Sequence, residues 1–170
     1  MAGSRASTGI PEALTLIETS ASGLADLLAG NAMFDGFSRS EIERLANYMC
    51  AYRADRDTVI FIEGAHAGFM GIVIEGRLNV FKDSGRGATK VLAEIPPGKS
   101  LGEMSVIDGL PHSATAVAAE PVTLVALTRA DLDRITAEHP ALAAKLLWRL
   151  AQLLSQRLRQ TSGMLVDYLR

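Results

Sequence analysis

The sequence predicts an α+β fold: an antiparallel β-roll of the double-stranded β-helix, or jelly-roll, type, flanked by N-terminal helices and one long C-terminal helix. Apolar residues recur with a helical period at both ends of the chain, and this period is lost in the middle. The middle segments are short, β-branched and bounded by Gly, Pro or Asp. We therefore divide the 170 residues into a leader and helix (1–33), the β-roll (34–139) and a C-terminal helix (140–170).

The N-terminal part contains a leader and two predicted helices. Residues 1–20 have no lasting periodicity and are read as a loose leader. A short apolar helix is predicted over 24–32, and a second helix over 39–50, where Ser38 and Glu41 have the spacing of a capping box. Cys50 then ends a helix, and we expect it to be a small buried apolar residue.

Five strands are predicted in the middle of the chain. Glycine at Gly76 and within 83–87 favours tight hairpin turns, so neighbouring strands should pair antiparallel. The predicted strands are 58–62, 69–75, 77–82, 90–95 and 122–127.

After the strands the helical period returns. Thr128 and Asp131 predict a capped short helix to Glu138, and Pro140 suits the first turn of a helix that continues to Tyr168. An apolar stripe on this helix recurs every three or four residues, as in a coiled coil. It predicts a homodimer through helix 140–168, and the alternative is packing on its own domain only. The stripe is Ala143, Leu147, Leu150, Leu154, Leu158, Thr161, Leu165 and Tyr168.

Other side chains of the long helix are given structural roles. We expect Trp148 to pack against its own domain, as bulky aromatic residues on helices usually do. The basic residues are read as a solvated face, and they are Lys145, Arg149, Arg157 and Arg159.

Composition excludes several function classes. With 17 basic and 19 acidic residues the chain has no excess positive charge to hold a nucleic-acid backbone. No secretory signal and no run of about 18 apolar residues is present, so we expect no membrane partner. A single cysteine fits the reducing cytoplasm, where we place the protein.

The three histidines match no metal-ligand spacing, and neither Ser105 nor Ser113 has a motif that would place a histidine beside it. We expect no metal, no cofactor and no catalytic residues.

The segment 97–115 carries the clearest chemical signal. A Gly102-Glu103 pair opens a short apolar turn, and Pro111-His-Ser-Ala-Thr115 closes it. Backbone N–H groups in such a turn can hold a phosphate. A carboxylate beside a phosphate needs another partner, and a ribose hydroxyl suits Glu103 because the carboxylate accepts its proton.

By these residues the chain resembles the cyclic-nucleotide-binding domain family over about residues 34–165. Two further matches are Ile60-Phe-Ile-Glu-Gly64 and Ile74-Glu-Gly-Arg-Leu-Asn-Val80, and a third is Arg157-Leu-Arg-Gln-Thr161-Ser162. The resemblance implies a sensor of cyclic AMP or cyclic GMP, with cyclic AMP slightly favoured, that signals to an unidentified partner protein. It implies ligand-binding roles for Leu101, Gly102, Glu103, Met104, His112, Ser113, Ala114, Thr161 and Ser162.

The sequence departs from the family pattern at His112, where the family usually has arginine. Arginine is always charged and can contact two phosphate oxygens, whereas histidine offers one N–H and loses its charge near neutral pH. Three interpretations stay open: a working cyclic-nucleotide site, a site for another ligand such as a cyclic dinucleotide or a different anion, and a ligand-free dimerisation domain. Transcription regulators of the family place a helix-turn-helix domain after the long helix. Because this chain ends at Arg170, we expect no direct DNA contact unless it is a fragment of a longer protein.

Overall fold

The computed structural model describes residues 9–66, 68–83 and 89–168, with side chains for all of these except 83, 89, 90 and 164–168. Residues 1–8 of the predicted leader, which covers residues 1–20, lie outside this part of the chain. The helices are α1 (Ala21–Leu28), α2 (Arg39–Ala46), α3 (Glu103–Asp108), α4 (Arg129–Glu138) and α5 (Pro140–Tyr168), with a 3₁₀ turn at Ala32–Phe34. The strands are β1 (Thr15–Ile17), β2 (Met49–Ala54), β3 (Val59–Phe61), β4 (Phe69–Glu75), β5 (Leu78–Asp83), β6 (Thr89–Ile95), β7 (Ser100–Leu101), β8 (Thr115–Ala118) and β9 (Val122–Thr128).

The strands form two antiparallel sheets, in the orders β1-β2-β9-β4-β7 and β3-β8-β5-β6. Apolar side chains of both sheets fill the space between them, including Phe61, Phe69, Leu78, Leu124 and Ala126. This is the predicted β-roll, and its presence between helices confirms the predicted fold class.

A helical layer covers the other face of the first sheet. Leu28 of α1, Leu45 of α2 and Leu146 of α5 pack with Ile72 and Val125 of the sheet in a second apolar core. Strand β9 is therefore covered on both faces, and all seven of its residues are buried. A strand buried on both faces carries a continuous apolar run rather than an alternating one.

The predicted turn at Gly76 joins β4 to β5. Gly76 has φ of 76°, and a Cβ atom there would lie 2.2 Å from the carbonyl oxygen of Pro121. Both the left-handed backbone and the close approach therefore require glycine. The turn predicted at 83–87 lies outside the described residues, apart from Asp83.

The predicted helix 39–50 is wrong at its C-terminal end. Helix α2 stops at Ala46, and Met49 begins strand β2, which pairs with β9. Met49 has helical spacing from Leu45, but it also packs in the same apolar core from the strand, so the spacing fits both structures. Cys50 is consequently exposed on β2, and its predicted burial is wrong.

The other boundaries are close to those predicted. The capping box of Ser38 and Glu41 forms, since each backbone N–H donates to the other's side chain, over 3.3 Å to Ser38 Oγ and 2.7 Å to Glu41 Oε2. At Thr128 the N-cap bond forms, from the N–H of Asp131 to Thr128 Oγ1 over 3.0 Å. Helix α1 starts three residues early, at Ala21, where Ser20 caps it. The short strands β1, β7 and β8 were not predicted.

The predicted stripe on α5 is only partly an internal contact. Leu142, Ala143, Leu146 and Leu150 are buried against the domain. Further along, Leu158 is 68% exposed. Trp148 is 71% exposed, so the expectation that it packs on its own domain is wrong. Across the described residues no helix is both long enough and apolar enough to span a membrane.

Candidate functional site

A cavity of about 700 Å³ lies between the β-roll and α5. The lining comes from strands β5 and β6, from the segment 100–105, from the loop 112–114 and from α5. Eight of the nine predicted ligand residues line it: Leu101, Gly102, Glu103, Met104, His112, Ser113, Ala114 and Thr161. Ser162 is exposed and is not in the lining, so its role stays a prediction.

Gly102 lets the chain turn from β7 into α3 against the sheet. Its φ is 81°, and a Cβ atom there would lie 2.8 Å from the carbonyl oxygen of Phe69 and 2.9 Å from Cζ of Phe61. Any side chain would therefore displace the backbone or an aromatic ring of the roll. As a result Glu103, the first residue of α3, lies in the cavity wall with only 2% of its surface exposed.

The buried carboxylate of Glu103 is held by two residues. Nη1 of Arg157 lies 3.0 Å from each of its oxygens, and the Ser100 hydroxyl donates to Oε1 through a short hydrogen bond. Nη2 of Arg157 also donates to the carbonyl oxygen of Ser100 over 2.5 Å. A buried charge needs such partners, because its removal from water is otherwise very costly.

Arg157 therefore differs from its predicted role as a solvated residue. Two other basic residues of α5 also bind the domain: Nζ of Lys145 lies 2.7 Å from Glu41 Oε2, and Nε of Arg149 donates to the carbonyl oxygen of Ala32 over 3.1 Å. Arg159 is exposed and contacts Ser155 of its own helix. The solvated-face prediction is thus wrong for Lys145, Arg149 and Arg157.

His112, one of the predicted ligand residues, belongs to the wall of the cavity. It is 5% exposed, its ring centroid lies 4.0 Å from that of Phe61, and Nδ1 lies 3.1 Å from Ser105 Oγ. Its backbone is held by Gly64 and Ala65 over 2.9 and 3.0 Å. The fold therefore places a histidine beside Ser105, which no sequence motif indicated.

Lys82 is a cavity residue that the sequence analysis missed. Its Nζ donates to the carbonyl oxygen of Ser113 over 2.6 Å and pairs with Glu63 Oε1 over 2.7 Å. No sequence pattern marks a single lysine on a strand as a site residue. Only the pairing of β5 with β8 brings Lys82 to the loop 112–114.

The cavity offers three kinds of contact. Glu103 can accept hydrogen bonds from hydroxyl groups, and Lys82 carries a positive charge. Between them lie apolar side chains such as Phe61, Val80 and Leu154, which can cover an aromatic ring. A ligand with hydroxyls, an anionic group and a flat apolar ring fits this arrangement.

Comparison with known proteins decides the family. The family model described as "Cyclic nucleotide-binding domain" matches residues 52–139, about half of the chain. The chain belongs to the cyclic nucleotide-binding domain family. This confirms the resemblance inferred from residues 97–115, and the matched range contains the Gly102-Glu103 pair and His112.

Solved and curated relatives agree with this membership. A cyclic nucleotide-binding domain from Methylobacillus flagellatus KT is 30% identical, with a TM-score of 0.84, and the alignment covers 92% of this chain and 89% of that one. The Cyclic AMP receptor protein of Thermus thermophilus is 31% identical over 133 residues, covering 78% of this chain and 60% of the relative. The Thermus thermophilus Catabolite Activator Protein structure is 30% identical, with a TM-score of 0.71, covering 81% of this chain and 62% of that one. This domain thus spans about 60% of the length of these Thermus relatives.

Proposed function

We propose that this cyclic nucleotide-binding domain binds a cyclic mononucleotide in the 700 Å³ cavity and acts as a regulatory sensor rather than an enzyme. The observation that carries the proposal is Glu103, a carboxylate that is 2% exposed yet lines a cavity large enough for a ligand. Cyclic AMP is our first choice and cyclic GMP the second. The printed name of the Thermus relative, a cyclic AMP receptor, supports this order.

Each part of a cyclic nucleotide has a plausible set of contacts. The ribose hydroxyl belongs at Glu103, because a carboxylate is the strongest acceptor in the lining. The cyclic phosphate belongs at Ser113, Ala114 and His112. The base belongs against the apolar side chains, with Leu101 and Met104 on the wall and Thr161 and Ser162 on α5.

Binding would be reported through α5. The ribose hydroxyl and Arg157 both address the carboxylate of Glu103, so a bound nucleotide changes the contact that holds α5 to the roll. We propose that residues 34–139 sense the ligand and 140–170 transmit the signal to a partner protein in the cytoplasm, without direct DNA contact by this domain.

We also propose that α5 pairs with α5 of a second copy. Trp148, Ala151, Gln152, Ser155, Gln156 and Arg159 form a groove along its outer face, and Trp148 is 71% exposed. Past Leu150 the predicted apolar repeat borders the cavity, and Leu158 there is 68% exposed, so its own domain leaves part of this apolar surface uncovered. A second α5 bears the same repeat and the same groove, so it is the partner that this face fits.

Titration calorimetry tests the proposal, with cyclic AMP, cyclic GMP and a cyclic dinucleotide as ligands. We expect cyclic AMP to bind, and Glu103→Gln to weaken it about 10- to 100-fold, because a hydrogen bond to a charged group is lost. Glu94→Gln, an exposed residue outside the lining, is the control. Binding of the dinucleotide alone would favour a site for another ligand.

His112 is tested in the same assay. Binding should be tighter at pH 6 than at pH 8, because only the protonated imidazole attracts the phosphate, and His112→Arg should tighten it at both. If neither the wild type nor His112→Arg gives heat of binding, the proposal is wrong, and the interpretation as a ligand-free dimerisation domain remains.

A further inference from the structure

A second cation lines the cavity from the β-roll and not from α5. Lys82, on β5, extends its ammonium to the loop that contains His112 and donates to the carbonyl oxygen of Ser113 over 2.6 Å. The same ammonium pairs with Glu63 over 2.7 Å, and both side chains of this pair are partly exposed. An ion pair with this exposure is weak, since water screens it.

The charges in the lining are not equivalent. Within the described part of the chain three charged side chains line the cavity: Lys82, Glu103 and Arg157. Arg157 lies 3.0 Å from both oxygens of Glu103, so these two charges neutralise each other. The counter-ion of Lys82 is Glu63, which is not a lining residue. An anion that enters the cavity therefore meets, at Lys82, a cation whose counter-ion lies outside the lining.

The neighbouring histidine is placed differently. His112 is 5% exposed and its ring lies between Phe61 and Ser105, so it is less free than Lys82 to move toward a ligand. The Lys82 side chain is half exposed, and its ammonium has three donors that rotate together. It can keep the Ser113 carbonyl and give another donor to a phosphate oxygen.

We propose that Lys82 binds the phosphate of the ligand together with the loop 112–114, by exchanging its ion pair with Glu63 for one with the phosphate. This rests on the proposed function, in which the ligand is a cyclic nucleotide. It makes Lys82 a specificity residue, which separates an anionic nucleotide from the neutral nucleoside. It also makes Glu63 a competitor of the ligand, so removal of the Glu63 charge strengthens binding.

The test is titration of the intact domain with cyclic AMP and with adenosine. Lys82→Met should weaken the binding of cyclic AMP about 10- to 100-fold, because a hydrogen bond to a charged group is lost. It should leave the affinity for adenosine unchanged. Lys82→Arg should retain most of the affinity. Glu63→Gln should tighten the binding of cyclic AMP severalfold. Lys99→Met is the matched control, because it removes the same charge from an exposed turn outside the lining.

A second readout is the salt dependence of cyclic AMP binding. It should be smaller in Lys82→Met than in the wild type, because ions screen the charge that was removed. Thermal melting of each variant confirms folding. If the wild type binds cyclic AMP and Lys82→Met binds it equally well, the role of Lys82 is overturned while the proposed function stands. If the folded wild type and His112→Arg bind no cyclic nucleotide, both are overturned.

Discussion

Arg157 of the long helix lies 3.0 Å from both carboxylate oxygens of Glu103, although the two residues are 54 positions apart in the chain. Both residues line the cavity, Glu103 from α3 and Arg157 from α5. One ion pair therefore joins the proposed sensing site to the proposed output helix. A ligand that uses Glu103 must share it with Arg157.

Arg157→Ala should release the outer turns of α5. It removes the charged partner of a buried carboxylate, and we expect a loss of about 1–3 kcal/mol in the free energy of unfolding. The lower part of this range is favoured because Arg157 is 39% exposed. Urea denaturation measures the loss, and faster amide exchange over 153–163 would locate it. Arg159→Ala, two residues further on, should change stability by less than about 0.5 kcal/mol. Equal effects of the two substitutions would contradict a structural role for the ion pair.

Gly102→Ala should lower the free energy of unfolding by more than the same substitution at Gly98. Both glycines have positive φ, 81° and 83°, so both substitutions carry the strain of a left-handed residue, on the order of 1 kcal/mol. Only at Gly102 does the new Cβ also meet Phe69 and Phe61, whereas Gly98 has nothing within 4 Å. We expect a total loss of about 2–4 kcal/mol at Gly102. Thermal or urea unfolding compares the two variants, and similar losses would show that the contact with Phe61 and Phe69 is unimportant.

Trp148→Ser should weaken self-association. Exposed tryptophans in helix grooves often contribute more than 2 kcal/mol to an interface, so we expect the dissociation constant of the dimer to rise about 30-fold. Sedimentation velocity over a concentration series measures it. Ile62→Ser removes another exposed apolar residue, on the roll, and serves as the control. A wild type that is monomeric at every concentration would refute pairing through α5.

Glu41 should make the packing of α2 on α5 sensitive to acid. Its pKa is lowered from 4.5 to about 2, mainly because Nζ of Lys145 donates to the carboxylate, and also because the N–H of Ser38 does. The folded state therefore binds this proton less readily than the unfolded state. The stabilisation is complete above about pH 4.5 and is lost as the pH falls through about 2.

The measurement compares unfolding free energies at pH 6 and pH 2.5. Glu41→Gln should lose less stability over this interval than the wild type does, since its amide does not titrate. Glu43→Gln, which removes an exposed carboxylate paired with Arg39 on the same helix, provides the comparison. If Glu41→Gln and the wild type lose stability in parallel, the Lys145 contact does not contribute.

Local patterns were sufficient for much of the fold. The capping residues Ser38 and Thr128 and the turn at Gly76 act over three or four positions, so the sequence places them correctly. Strands β7 and β8 were missed because two- and four-residue segments carry too little periodicity. Strand β2 was missed because its pairing with the distant β9 overrides a spacing that also fits a helix.

The candidate site divides in the same way. By itself the sequence determined the family, and it predicted that Gly102, Glu103, Ser113 and Ala114 contribute to one site, because these residues lie in one short segment whose turn chemistry is local. Only the tertiary structure decided which charges meet there. It brought Arg157 to Glu103 and Lys82 to Ser113, and it enclosed His112 beside Phe61. Such contacts depend on the closure of the roll and the docking of α5, since burial and charge pairing are set by neighbours in space and not by neighbours along the chain.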